Sequence, residues 1–329
     1  MIEYCNAIVH FTVFIDRILQ RILSETHLPK ESDMSKLFRK TVIATTLSIF
    51  LASLAQAAAL KTQVFNPGSN SMFPVTSTLI TGPTEAVLID AQFQRNDAQS
   101  VLKMIQDSGK ELTTIYVSHG DPDFYFGLDV ITAAYPKAKV VASMETIKHI
   151  KNTVTKKVAY WGPILKENAP LATVIPTQVT TDTLLVDGEK IKIMGLKGDN
   201  PKHTFVWLPK LKTALGGVIV YKNVHVWMAD SQTEKSRRLW INTLNQLLAL
   251  KPEKVIPGHF IKNKTEKINT KYPSVNFTKS YITAFSKAAK NATDSSALIE
   301  SMKAHYPAFT NIGDLSLSAK VIKKEMQWP

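Results

Sequence analysis

Cysteine is almost missing from this chain of 329 residues, with the single Cys5 standing near its start. That scarcity excludes disulfides and thiolate metal sites, so any metal would be held by His, Asp or Glu. Acidic residues are the minority, 27 against 40 Lys and Arg, which leaves a formal net charge of +13. The lysines are scattered rather than gathered in one arm, and neither a zinc-finger spacing nor an RNA-binding aromatic motif accompanies them. The excess charge is therefore read as a solvated basic surface that favours anionic small molecules, with no nucleic acid expected as a partner. The chain also lacks internal repeats and low-complexity linkers, and 44% hydrophobic with 20% charged residues is an ordinary globular composition. One domain with a substantial core follows.

From Met34 the chain reads MSKLFRKTVIATTLSIFLASLAQAAALK. Lys36, Arg39 and Lys40 form a positive leader, Thr41 to Leu54 is apolar but too short to span a bilayer comfortably, and Ala55-Gln56-Ala57 is a small-x-small cleavage site. The reading is a signal peptide over 34–57, cleaved after Ala57, with a periplasmic or secreted product and no stable membrane anchor. Residues 1–33 are set aside as an upstream extension, most simply explained by translation that starts at Met34.

In the mature segment, 58–329, Val75–Leu79 and Ala86–Ile89 read as strands joined by a Gly82-Pro83 turn, and Asn96–Ser108 as a helix closed by Gly109. Thr113–Ser118 is a buried strand, Leu128–Ala134 a helix, Lys139–Ala142 a strand and Glu145–Val158 a helix, after which Tyr160-Trp161-Gly162-Pro163 is expected to open a loop. A hairpin turns at Asp187-Gly188 between Thr183–Val186 and Lys190–Met194, and Thr204–Leu208 and Ala214–Val220 continue the sheet. Glu234–Ala249 is a long amphipathic helix, Val255–His259 a last strand, and helices follow near Val275–Ala289, Ser295–His305 and Leu315–Met326. This order is α/β, with polar loops at strand C-termini.

His119, Asp121 and Asp123 alternate directly after a strand. Such a loop aims imidazole and carboxylate groups at one spot, a donor set suited to a borderline divalent cation; a solvated turn with Pro122 at its corner is the competing reading. His259 follows a strand and a Pro-Gly turn, and Gly198-Asp199-Asn200-Pro201-Lys202-His203 follows another strand. Ligand-capable groups thus gather at three strand ends, the usual address of an α/β active site. His225 alternates with apolar neighbours and is either a core histidine or a pocket group. Asp230 is read as a cap for the helix that begins near Glu234, and His149 and His305 as surface residues of helices. Trp161, Trp207 and Trp227 wall a pocket or fill the core.

The ordered set Asp90, His119-x-Asp121-x-Asp123-Phe124, Gly198-Asp199-Asn200-Pro201 and Pro257-Gly258-His259 resembles the metallo-β-lactamase superfamily over roughly residues 75–260. The resemblance implies a four-layer αββα sandwich and a hydrolase whose metal-activated water attacks an ester, lactone, amide or phosphoester bond. In that family the motifs are His-x-His-x-Asp-His, Gly-His-Thr-Pro, a bridging Asp after a Gly, and a final Gly-His. Here Asp121 stands in place of the second histidine, Phe124 of the fourth motif residue, Asp199 of the third histidine and Gly217 of the bridging Asp. The expectation is therefore a single divalent ion (zinc, or manganese or iron given the carboxylates) held by His119, Asp121 and Asp199. Asp123 is the catalytic proton carrier, and His259 a ligand of a weakened second position. His203 is a second-shell donor or the rival third ligand, with His225 as a further alternative. The competing functional reading is a non-catalytic or metal-free protein of this fold that binds ligands in a degenerate site.

Overall fold

Apolar runs flanked by turn residues form thirteen strands in the computed structural model, which describes residues 60–262 and 272–328. Cys5, the upstream extension and the signal segment lie outside the described residues. In chain order the first elements are β1 (Lys61–Phe65), β2 (Ser77–Thr81), β3 (Glu85–Ile89), α1 (Arg95–Ser108), β4 (Glu111–Val117), the short α2 (Pro122–Tyr125), α3 (Leu128–Ala134), β5 (Lys139–Ala142), α4 (Met144–Leu165) and β6 (Thr177–Gln178). There follow β7 (Thr183–Val186), β8 (Glu189–Met194), β9 (Phe205–Leu208), β10 (Thr213–Leu215), β11 (Tyr221–Lys222), α5 (Glu234–Ala249), β12 (Lys254–Ile256) and β13 (His259–Phe260). The helices α6 (Pro273–Asn291), α7 (Ser295–His305) and α8 (Ile312–Ile322) complete the chain.

The first six strands form one sheet in sequence order, and a second sheet runs β12-β10-β9-β8-β7. Alternation along β3 explains why both faces of the first sheet are buried. Val87 and Ile89 join Ile80, Tyr116, Ile191, Val206 and Leu215 in a cluster drawn from both sheets, so the sheets pack on each other there. Ala86 and Leu88 point the other way, into a core shared with Val101, Ile105, Phe124 and Leu128 of the flanking helices. The architecture is the αββα sandwich.

Three sequence expectations fail for identifiable reasons. Helix α4 continues through Gly162 and Pro163 to Leu165, because Trp161 locks against Phe73 (5.5 Å) and Phe93 (5.3 Å) and holds the last turn in the core. The strand expected over Ala214–Val220 stops at Leu215, because Gly217 adopts φ +48° and bends the chain toward the site. The last strand is likewise broken at Pro257-Gly258, and His259 pairs instead with Tyr221 in a separate two-stranded ribbon. Thr76 N donates to Gly258 O (2.7 Å) and Gly258 N to Val220 O (2.9 Å), so the turn is held from two sides. A Cβ on Gly258 would sit 1.8 Å from Gly217 O, so only glycine fits there.

Candidate functional site

The site lies where β4 ends. Asp90, at the end of β3, accepts hydrogen bonds from Ser118 N and Ser118 Oγ, both 2.8 Å, and so fixes the strand end that carries His119. Burial pushes the Asp90 carboxyl up to about 7, against those two bonds. Beyond it the chain turns into α2, and His119, Asp121 and Asp123 are all buried. The competing reading of this loop as a solvated turn is thereby set aside.

The histidines and acids of the site divide into two groups. In the first, His119 Nδ1 lies 3.4 Å from Asp121 Oδ2. His149 Nε2 of α4 lies 3.5 Å from Asp121 Oδ1, and Lys157 Nζ pairs with that same oxygen. Lys157 Nζ is also 3.0 Å from His149 Nε2, and its side chain is only 2% exposed. Burial pushes the Asp121 carboxyl up, but the Lys157 ammonium and His119 outweigh it and hold the group well below the usual carboxylate range. His149 reaches this point because Gly120 lacks a side chain, since a Cβ there would meet His149 Cδ2 at 2.6 Å. His203 stacks over His119 (ring centroids 6.5 Å) and against Trp240 (4.8 Å), with Nδ1 2.7 Å from Asn200 Nδ2. Burial pushes its imidazole down to about 3, so it is neutral.

In the second group, His259 Nε2 is 2.6 Å from Asp123 Oδ2, and the His259 ring stacks on Tyr221 (4.7 Å, 7° between planes). Phe124 stands between the two groups, edge-on to His119 at 5.6 Å and to His259 at 5.5 Å. Asp314 of α8 shares the niche around Asp123 and His259, a small space of about 40 Å³ walled also by Tyr221 and Trp227. Burial pushes the Asp314 carboxyl up to about 6. A larger cleft of about 250 Å³ opens beside it, lined by His119, His149, Lys202, His203, Asp230 and Trp328. Trp328 borders both spaces.

Asp199 requires correction. It is exposed on the loop after β8, whereas His119 and Asp121 are buried, and the residue of that segment that reaches the cluster is His203. The loop makes a turn closed by His203 N on Asn200 O (3.0 Å), which swings the histidine inward and leaves the aspartate in solvent. His225 is a core residue and not a pocket group. It is fully buried, with Nδ1 2.9 Å from Tyr281 Oη and Phe309 5.4 Å away. Burial pushes its imidazole down to about 4, so the folded protein keeps it neutral while the unfolded chain protonates it below about pH 6.5. Over that window the unfolded state binds more protons, so stability falls as pH falls. The loss expected by pH 4.5 is about 2–3 kcal/mol. Urea midpoints at pH 7 and 4.5 should therefore differ less in His225→Phe than in the wild type.

His149, expected on the surface, is instead part of the first group, while His305 is exposed as read. Thr233, not Asp230, caps α5, with its Oγ1 accepting from Ser236 N (3.0 Å). Asp230 accepts from Trp227 Nε1 (2.5 Å), and burial together with the Asp121 charge pushes its carboxyl up to about 7. Of the tryptophans, Trp161 and Trp227 line the niche and Trp207 is core. Lys157, Tyr221, Asp314 and Trp328 were missed. For Lys157 a signal existed: His149, Thr153, Lys157 and Trp161 recur at four-residue spacing on the inward face of α4.

The donor set does not fit the expected metal at the first position. Among the described residues no three His, Cys, Asp or Glu side chains converge as a metal-holding group. Asp121 is already engaged by the Lys157 ammonium. For a dication and an ammonium about 4 Å apart, the repulsion is about 8 kcal/mol at an effective dielectric of about 20. An aspartate at the bridging position is disfavoured as well, since Gly217 adopts φ +48° and a Cβ there would meet Ser118 Oγ at 2.9 Å, so the serine hydroxyl would have to shift.

The sequence model of the metallo-beta-lactamase superfamily matches residues 71–259, more than half of the chain. Members of that superfamily are mostly hydrolases and generally bind divalent metals, usually zinc. Among solved structures, the chain is similar to a metallo-beta-lactamase from Pontibacter korlensis, at 18% identity over 68% of this chain and 94% of that one, with a TM-score of 0.47. It is also similar to the metallo-beta-lactamase IND-7 (18% identity, 68% and 91% covered, TM-score 0.47). A third is the DIM-1 metallo-beta-lactamase exposed to ceftazidime (19%, 68% and 91%, TM-score 0.45). No curated protein matched.

Proposed function

Because this chain belongs to the metallo-beta-lactamase superfamily, we propose that it is an exported hydrolase of the metallo-hydrolase type that has come to work through its own acid–base pair, Asp123 and His259. The observation that carries this reading is the 2.6 Å contact between His259 Nε2 and Asp123 Oδ2 at the wall of a niche of about 40 Å³, space for one or two water molecules. His259 holds one carboxylate oxygen. Among the described residues the other oxygen has no hydrogen-bond partner, and it is the group that takes a proton from water. Tyr221 keeps the imidazole ring in plane, and Phe124 screens the pair from His119. The substrate occupies the adjoining cleft of about 250 Å³, below the usual 300–1,000 Å³ range for drug-sized ligands, so a small ester, lactone, amide or phosphoester is the expected class. After attack, Asp123 returns its proton to the leaving group.

The test uses the chain purified from the periplasm or medium, whose intact mass should place the mature N-terminus at Ala58. A panel of small esters, lactones, amides and phosphoesters is assayed with and without a chelator. Hydrolysis of at least one class, unchanged by the chelator, is the expected result. Saturable binding without turnover of any of them would favour the ligand-binding reading, which the Lys157–Asp121 pairing also suits.

A further inference from the structure

Lysine is an unusual residue to find at the bottom of this site. Its ammonium has no exposure to speak of, and its two polar neighbours are the donor types that hold metal ions. They are a carboxylate oxygen of Asp121 and, at 3.0 Å, the Nε2 of His149. For His149 to accept from an ammonium, that nitrogen must present its lone pair, as it would to a cation. Asp121 in turn sits 3.4 Å from His119, the histidine that opens the motif. The backbone around this point is shaped for the arrangement. Gly120 admits the His149 ring, and the inward face of α4 carries Thr153 and Trp161 on either side of the lysine.

We infer that Lys157 is a tethered cation that fills the first metal position of this fold, so that Asp121 and His149 are the ligands of an internal ammonium. The position has not been emptied of positive charge; the charge has been moved from an exchangeable ion onto the chain. Two of the sequence's departures then have one cause. A carboxylate at position 121 in place of an imidazole supplies the negative charge a buried ammonium needs, and an exposed Asp199 is no longer required as a ligand. The ammonium cannot act as a Lewis acid on a bound water, which leaves proton transfer to the separate Asp123–His259 group. This inference concerns occupancy of the position and does not depend on whether the protein turns over any substrate.

The test is metal occupancy, read without an activity assay. The full mature protein is incubated with zinc, manganese and ferrous iron in turn, desalted, and examined by native mass spectrometry and by its thermal unfolding midpoint. The wild type should retain no ion, and its midpoint should be unchanged by zinc. Lys157→Ala vacates the space, so zinc should raise its midpoint by several degrees, and Asp121→Asn in the same background should abolish the rise. One retained equivalent in the wild type, lost on Asp121→Asn, would overturn the inference. So would equal responses to zinc in the wild type and Lys157→Ala. If the alanine variant does not fold, the wild-type measurement decides alone: a retained equivalent overturns the assignment, and none across the three ions upholds it.

Discussion

Replacing Lys157 by methionine is expected to destabilise the fold by about 3–5 kcal/mol, the range for breaking a buried ion pair by removing one partner. Methionine keeps the apolar length of the stem, so little packing is lost. The loss arises because the Asp121 carboxylate, itself buried, is left with imidazoles for partners. If that is the cause, removing the stranded charge should restore stability. The double variant Lys157→Met with Asp121→Asn is expected to recover most of the loss, since buried pairs exchanged for neutral side chains of similar volume are often tolerated. Urea unfolding of the wild type, both single variants and the double variant gives the coupling directly. Equal losses that simply add would mean that the two groups do not depend on each other. The exposed pair Lys103–Asp107, one helical turn apart on α1, is the internal comparison. The same operation there should change stability by only a fraction of a kcal/mol, because water already solvates both charges.

The second large effect is catalytic. Asp123→Asn preserves the shape of the side chain but cannot accept a proton, and it should lower kcat by about 10²–10⁴-fold on whichever substrate the wild type hydrolyses. KM should change little, because the cleft that holds the substrate is lined by other residues, among them His203, Lys202 and Trp328. His259→Ala should fall in the same range, since it removes the group that holds the Asp123 carboxylate at 2.6 Å. Asp199→Ala is the control and should leave both constants within about twofold, in keeping with its exposed position. A full rate in Asp123→Asn would move the chemistry elsewhere, most directly to the His119–Asp230 side of the cleft.

The metal expectation shows where sequence matching stops. A gap-free match of Gly198-Asp199-Asn200-Pro201 to the family's Gly-His-Thr-Pro motif puts Asp199 in the ligand position, and nothing in the linear pattern argues otherwise. The loop instead turns so that His203, four residues on, faces His119. Similarly, Lys157 stands among Lys151, Lys156 and other polar residues of α4, and by composition it is one more solvated lysine. Its burial becomes visible only when helical spacing is read together with the partner that awaits it, Asp121, which lies thirty-six residues earlier in the chain.

What the sequence determined alone was the layering and the address of the site. Alternating and continuous apolar runs, turn residues and helix caps place the strands and helices, because those choices are made by neighbours within a few residues. The order of the motifs put His119, Asp121, Asp123 and His259 at the ends of strands on one edge. Tertiary structure alone decided what those groups face. Whether an acid meets an ion, a lysine or water depends on side chains brought from α4, α8 and the C-terminal Trp328, far away in the chain. At a buried site a single charge from such a distance outweighs any local preference, because low-dielectric surroundings leave it unscreened.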